Sequence, residues 1–99
     1  NKQLFMHLYR QSGKYFLDYT EDESYTPAGE GEEIGEAGIS LQYDGKLLTD
    51  NEVITIGIQK KDGAFSSGPE EIEVYDDNYN DYVVYLIKDT GKHYVEEMQ

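Results

Sequence analysis

Cysteine and tryptophan are absent from this 99-residue chain, and proline occurs only twice. Without cysteine there is no disulfide, no thiolate metal site and no cysteine nucleophile, and thiol usage gives no reading of redox compartment. Positive charge is scarce: eight Lys and Arg stand against twenty-one Asp and Glu, a formal net charge of -13. Such a field repels nucleic-acid phosphate and anionic lipid, so direct binding to nucleic acid or to a membrane surface is not expected. The same field attracts basic protein surfaces, and it also keeps a small protein in solution. No apolar run approaches the roughly 18 residues of a membrane span, and the opening Asn1-Lys2-Gln3 is not a signal peptide. The cytoplasm of a host cell is favoured over the cell exterior, and composition leaves the oligomeric state open.

What the chain does have is tyrosine, ten of them, in a composition that is 37% hydrophobic. Tyrosine suits both half-buried strands and contact surfaces, because its ring is apolar and its hydroxyl is not. A chain of this length forms one domain over residues 1–99, with a thin core and little room for a deep catalytic cleft.

Alternation and turn chemistry predict an all-β fold: an antiparallel β-sandwich or small β-barrel of about seven or eight short strands joined by hairpins. Leu4 to Tyr9 turns through Gln11-Ser12-Gly13 into Tyr15 to Tyr19. Ile39 to Tyr43 meets Lys46 to Thr49 across Asp44-Gly45, a dipeptide that supplies the two positive φ angles of a type I′ turn. Val53 to Gln59 reads as a central strand with Gly57 marking a bulge or a close approach. In the next strand Ile72 and Val74 alternate with Glu71 and Glu73, so one face is wet. Tyr82 to Ile87 is apolar on both faces and so internal, and Thr90-Gly91 closes a last hairpin into His93 to Val95.

Chemistry that needs a converging base finds little here. The two histidines, His7 and His93, lie within expected strands, where solvent-facing rings are the ordinary case, and no Gly-x-Ser-x-Gly elbow is present. Carboxylates are abundant but lie in solvated stretches, where nothing raises one of a pair above the other. Phosphate-cradling and dinucleotide fingerprints are missing. The expectation is no catalytic residue, no cofactor and no metal. Asp76-Asp77-Asn78-Tyr79-Asn80-Asp81 begins like a calcium loop, yet its sixth and twelfth positions are Asp81 and Ile87 where glycine and glutamate are required, so an Asx-type turn is the better reading.

The acids are concentrated. Residues 21–36 carry Glu21, Asp22, Glu23, Glu30, Glu32, Glu33 and Glu36 with no basic residue, in a long acidic loop placed at about 20–37. Residues 70–81 hold a second group. A connection of that length is more than topology needs, which points to a function. The candidate partner-binding set is Glu21, Asp22, Glu23, Tyr25, Glu30, Glu32, Glu33, Glu36, Asp76, Asp77, Tyr79 and Asp81, with carboxylates standing in for phosphates and tyrosines as flat anchors against a basic protein surface.

In charge and size the chain resembles phage-encoded acidic inhibitors, including anti-CRISPR and DNA-mimic proteins. That resemblance implies a non-catalytic inhibitor that occupies a nucleic-acid-binding surface. The Tyr43-Asp44-Gly45-Lys46 turn, the Ile/Thr/Ile alternation after it and Asn78-Tyr79-Asn80 resemble, over about half the chain, the bacterial Ig-like modules of surface proteins, although the Gly-x-Tyr-x-Val strand of such modules is absent. The alternative it implies is an extracellular adhesion module stabilised by calcium.

Overall fold

The computed structural model describes residues 2–34, 38–78 and 80–98. Among them there is no helix, and ten strands form two antiparallel sheets of five. In chain order the strands are β1 (Gln3–Gln11), β2 (Lys14–Thr20), β3 (Glu32–Ile34), β4 (Ser40–Tyr43), β5 (Lys46–Leu47), β6 (Val53–Gln59), β7 (Phe65–Ser67), β8 (Glu71–Tyr75), β9 (Asp81–Leu86) and β10 (His93–Met98). Sheet one runs β3-β2-β1-β6-β7 and sheet two β10-β9-β8-β4-β5. Neither closes on itself, so the barrel alternative gives way to a sandwich-like pair of open sheets. Ten strands replace the seven or eight expected: β3 and β7, of three residues each, are the additions, and the expected strand from Lys46 is shortened to the two residues of β5. Strands so short are set by the neighbour they pair with and carry almost no alternation of their own.

The turns form as their residues dictate. Ser12-Gly13 and Asp44-Gly45 both take two successive positive φ angles, 52° and 77° then 51° and 74°, the pattern that matches the twist of two-residue hairpins. Gly57 lies where the β6–β7 register slips, and a Cβ there would fall 2.5 Å from the Ser67 hydroxyl. Both functions expected of that glycine are therefore present.

Side chains two apart share a face of a strand. Leu8 stands opposite Leu17 on β2 and Ile54 on β6, with Met6 opposite Ile56, so this face of sheet one is aliphatic. Leu41, Ile72 and Leu86 meet it from sheet two, and Leu48 closes the cluster at 1% exposure where the chain leaves β5 to cross between sheets. Arg10 fixes the end of that crossing: its carbonyl accepts the Asn51 N–H at 2.6 Å and its guanidinium lies 3.2 Å from the Asp50 carboxylate.

Ile56 is 1% exposed within this cluster, whereas Leu47 on the two-residue β5 is 51% exposed. Ile56→Ala is expected to lower unfolding free energy in urea by about 2–5 kcal/mol, and Leu47→Ala to change it by no more than about 0.5 kcal/mol.

Candidate protein-binding surface

The opposite face of β1 carries Phe5, His7 and Tyr9, and all three are buried, His7 and Tyr9 completely. Over His7 and Tyr9 lies the acidic stretch that follows β2. Tyr25 stacks on the His7 ring at 4.3 Å between centroids and 15° between planes, and lies 5.4 Å from Tyr9, which in turn stacks on Phe16 at 5.2 Å. The Tyr25 hydroxyl donates to the Asp18 carboxylate at 2.8 Å, and the Tyr9 hydroxyl donates to the Glu30 carbonyl. Burial, then the Asp18 carboxylate, pushes the Tyr25 phenol well above its ordinary value.

His7 was expected to face solvent and does not. Its Nε2 lies 2.7 Å from the Thr20 hydroxyl and its Nδ1 2.9 Å from that of Thr55. Thr20 donates its own proton to the Asp22 carbonyl at 2.7 Å, so its oxygen must accept from His7. The ring is therefore assigned as the neutral Nε2–H tautomer, with Nδ1 accepting from Thr55. Loss of hydration on burial holds the His7 pKa below its ordinary value, against the smaller upward pull of Asp22 and Asp18. With both nitrogens engaged beneath the loop, this ring has no lone pair to offer a substrate.

The first acidic region is thus fastened along most of its length rather than left as a free loop. Within it β3 joins the sheet, with Glu32 opposite Leu17 and Ile34 opposite Tyr15. Glu21 accepts from Lys60 at 2.5 Å, which lowers its pKa, and Glu33 lies 3.9 Å from Lys14. The Asp22 carboxylate receives the Ser24 N–H at 2.9 Å. The side chains of Glu23, Glu30 and Glu32 face water, while the ring of Tyr25 is spent inside the fold. Glu36 lies outside the described residues.

The second acidic region divides in two. At its turn Asp76 accepts from the N–H of Asn78 at 2.9 Å, from the N–H of Asn80 at 3.0 Å and from the Asn80 amide at 2.9 Å, and the Asn80 bonds above all lower its pKa. This is the Asx-type turn, and it occupies oxygens that a calcium ion would need. Among the described residues no three His, Cys, Asp or Glu side chains converge as a metal site. Asp77 is exposed and Tyr79 lies outside the described residues.

The other half is the outer face of sheet two, where register places side chains in rows across β8, β9 and β10. Glu71, Tyr85 and Tyr94 form one row; Glu73, Val83 and Glu96 the next, extended by Gln42 of β4; Tyr75, Asp81 and Met98 a third, extended by Ser40. Tyr85 and Tyr94 stack at 4.7 Å. The Tyr75 hydroxyl donates to the Glu73 carboxylate, which pushes its pKa up to about 12. Asp81 keeps one carboxylate oxygen buried with no hydrogen-bond partner, and burial followed by the charge of Glu73 raises its pKa. A polar groove of about 390 Å³ continues from this face toward the β4–β5 turn, lined in part by Gln42, Asp44, Glu70, Glu71 and Glu73.

Of the candidate residues chosen from sequence, only Asp81 belongs to this lattice. Glu71, Glu73, Tyr75, Tyr85, Tyr94 and Glu96 were not chosen. The signal for Glu71 and Glu73 was their alternation with Ile72 and Val74; for the others it was the same period in β9 and β10, obscured because both faces of those strands carry large side chains. Comparison with family models, with curated proteins and with solved structures found no match for the chain.

Two predictions follow the loop. In an NMR titration His7 protonates with a midpoint below about 6.5, the ordinary value. Because the folded value is the lower one, stability is complete above about pH 6.5 and falls as the unfolded chain takes up the proton first. A midpoint at or above 6.5 would contradict the buried neutral ring. Gly31 has φ +92°, and a Cβ there would lie 2.6 Å from the Leu17 carbonyl oxygen; Gly31→Ala is expected to cost about 1–3 kcal/mol in urea unfolding.

Proposed function

We propose that the chain is a non-catalytic, acidic protein-binding module whose partner carries a basic surface, and that it inhibits that partner by occupying the surface with which it grips nucleic acid. The observation that carries this reading is the outer face of sheet two. Glu71 and Glu73 stand there on β8 and Glu96 on β10, two strands away, with Tyr75, Tyr85 and Tyr94 among them. On a sheet such carboxylates repeat at intervals set by the ~4.8 Å strand separation and the ~6.7 Å step between residues two apart. A rigid array of this kind meets lysines and arginines without having to be ordered first, and exposed tyrosine beside it supplies apolar contact at small entropic cost. The exposed acids of the first region, Glu23, Glu30 and Glu32, add to the long-range field rather than to this array. The net charge of -13 supports the same reading, as does the resemblance in charge and size to phage-encoded inhibitors.

Immobilised protein, exposed to a nuclease-treated lysate at low salt, is expected to retain nucleic-acid-binding proteins that duplex DNA displaces. For a retained protein, raising salt from about 50 to 200 mM should weaken binding at least about tenfold. Joint substitution of Glu71, Glu73 and Glu96 by Gln should weaken it more than joint substitution of Glu23, Glu30 and Glu32. Affinity indifferent to salt and to both triple variants would overturn the proposal.

A further inference from the structure

Among the described residues four strands end the two sheets, and they are unlike one another. β3 and β7 have three residues and β5 has two, short enough to offer little to another chain. β10 has six, pairs with β9 without a register shift, and every one of its residues is exposed. Edges of that length are normally blunted by charged side chains, proline or a bulge; residues 93–98 have no lysine, proline or bulge, and the charges they carry are the carboxylates Glu96 and Glu97, which turn away acidic strands and admit basic ones.

The phase of the ladder shows what the edge offers. The Ile87 N–H donates to the Lys92 carbonyl at 3.0 Å, which makes His93–Leu86 a non-hydrogen-bonded pair. Alternation then turns the backbone groups of Tyr94, Glu96 and Met98 toward β9. Those of His93 and Val95 turn to the open side. Around them lie Tyr94, Val95 and Met98, 51%, 62% and 41% exposed.

We infer that β10 is a strand-addition site for an extended segment rich in lysine or arginine, which pairs with it as a sixth strand of sheet two. The inference rests on the basic-partner reading and specifies how such a partner engages. Charge selects the occupant. A second copy of this chain would bring another -13 and another Glu96-Glu97 to the same edge. A basic strand instead sets its cations beside Glu96, in the row that already holds Glu73, while its alternate apolar residues fall on the opposite face beside Val95.

The probe is a capped heptapeptide alternating Lys and Val, tested against the whole chain at low salt. Its counterpart is N-methylated at two adjacent central residues, which blocks both edges of the peptide and leaves every charge in place. The unmodified peptide should slow hydrogen exchange at the His93 and Val95 amides and bind at least about tenfold more tightly than the methylated one. An alternating Glu and Val peptide should not bind. Equal binding of the two Lys peptides, or shifts confined to Glu71 and Glu73 with no protection at Val95, would overturn strand addition and leave the basic-partner reading intact. Absence of binding by the Lys peptides, with folded basic proteins still retained, would also remove strand addition alone. Failure of every basic probe would remove both.

Discussion

The His7 ring lies between two threonine hydroxyls with the face of Tyr25 against it, and much of what distinguishes the two sheets depends on that contact. β1 is buried on both sides, by aliphatic residues toward sheet two and by Phe5, His7 and Tyr9 away from it. A strand of that kind needs cover on both faces. Sheet two provides one cover; over His7 and Tyr9 the other comes from the acidic stretch after β2. The stretch is held there by aromatic stacking, by the Tyr9 and Tyr25 hydroxyls and by the β3 pairing, with its carboxylates turned outward. Acidity and coverage are thereby combined in one segment, and its capacity to reorganise around a partner is reduced accordingly.

Sheet two is built the opposite way. Its inner face is aliphatic, but no segment among the described residues is laid across its outer face as 21–31 is across sheet one. That face is populated by residues that tolerate water on one side and packing on the other. Val83 illustrates the arrangement: it points outward yet is 5% exposed, because its lattice neighbours are Tyr75, Tyr85, Tyr94 and the stems of Glu73 and Glu96. The tyrosines act as a thin second layer over the sheet, and the carboxylates stand through it.

Much of this was legible in the sequence where one residue type dictates a conformation. Ser12-Gly13 and Asp44-Gly45 announce their turns, Gly57 its bulge, and the Ile54, Ile56 and Ile58 alternation a central strand. The two-sided burial of β1 was less plain, although Leu4 to Tyr9 is apolar on both faces apart from His7, just as Tyr82 to Ile87 is. A single histidine, read as a solvent-facing residue, concealed it. β3 and β7 were not legible because strands of three residues are created by their neighbours. The lattice on the outer face of sheet two was hard to read for a related reason. Density of acids along the chain marks where charge is abundant; which carboxylates share a plane depends on register between strands far apart in sequence, such as Glu73 opposite Val83 and Val83 opposite Glu96.

The lattice also carries an electrostatic cost that bears on what it is for. Glu73 and Glu96 flank Val83 from either side and Asp81 lies one row away, so like charges stand near one another on this face without being directly opposite. Within the lattice Tyr75 donates its hydroxyl to Glu73, while burial followed by the charge of Glu73 raises the Asp81 pKa. Neither contact involves Glu71 or Glu96. A cationic surface laid on the face would neutralise them, and the relief would come as binding energy specific to the bound state, since repulsion present in the free protein is removed only when the opposing charge arrives.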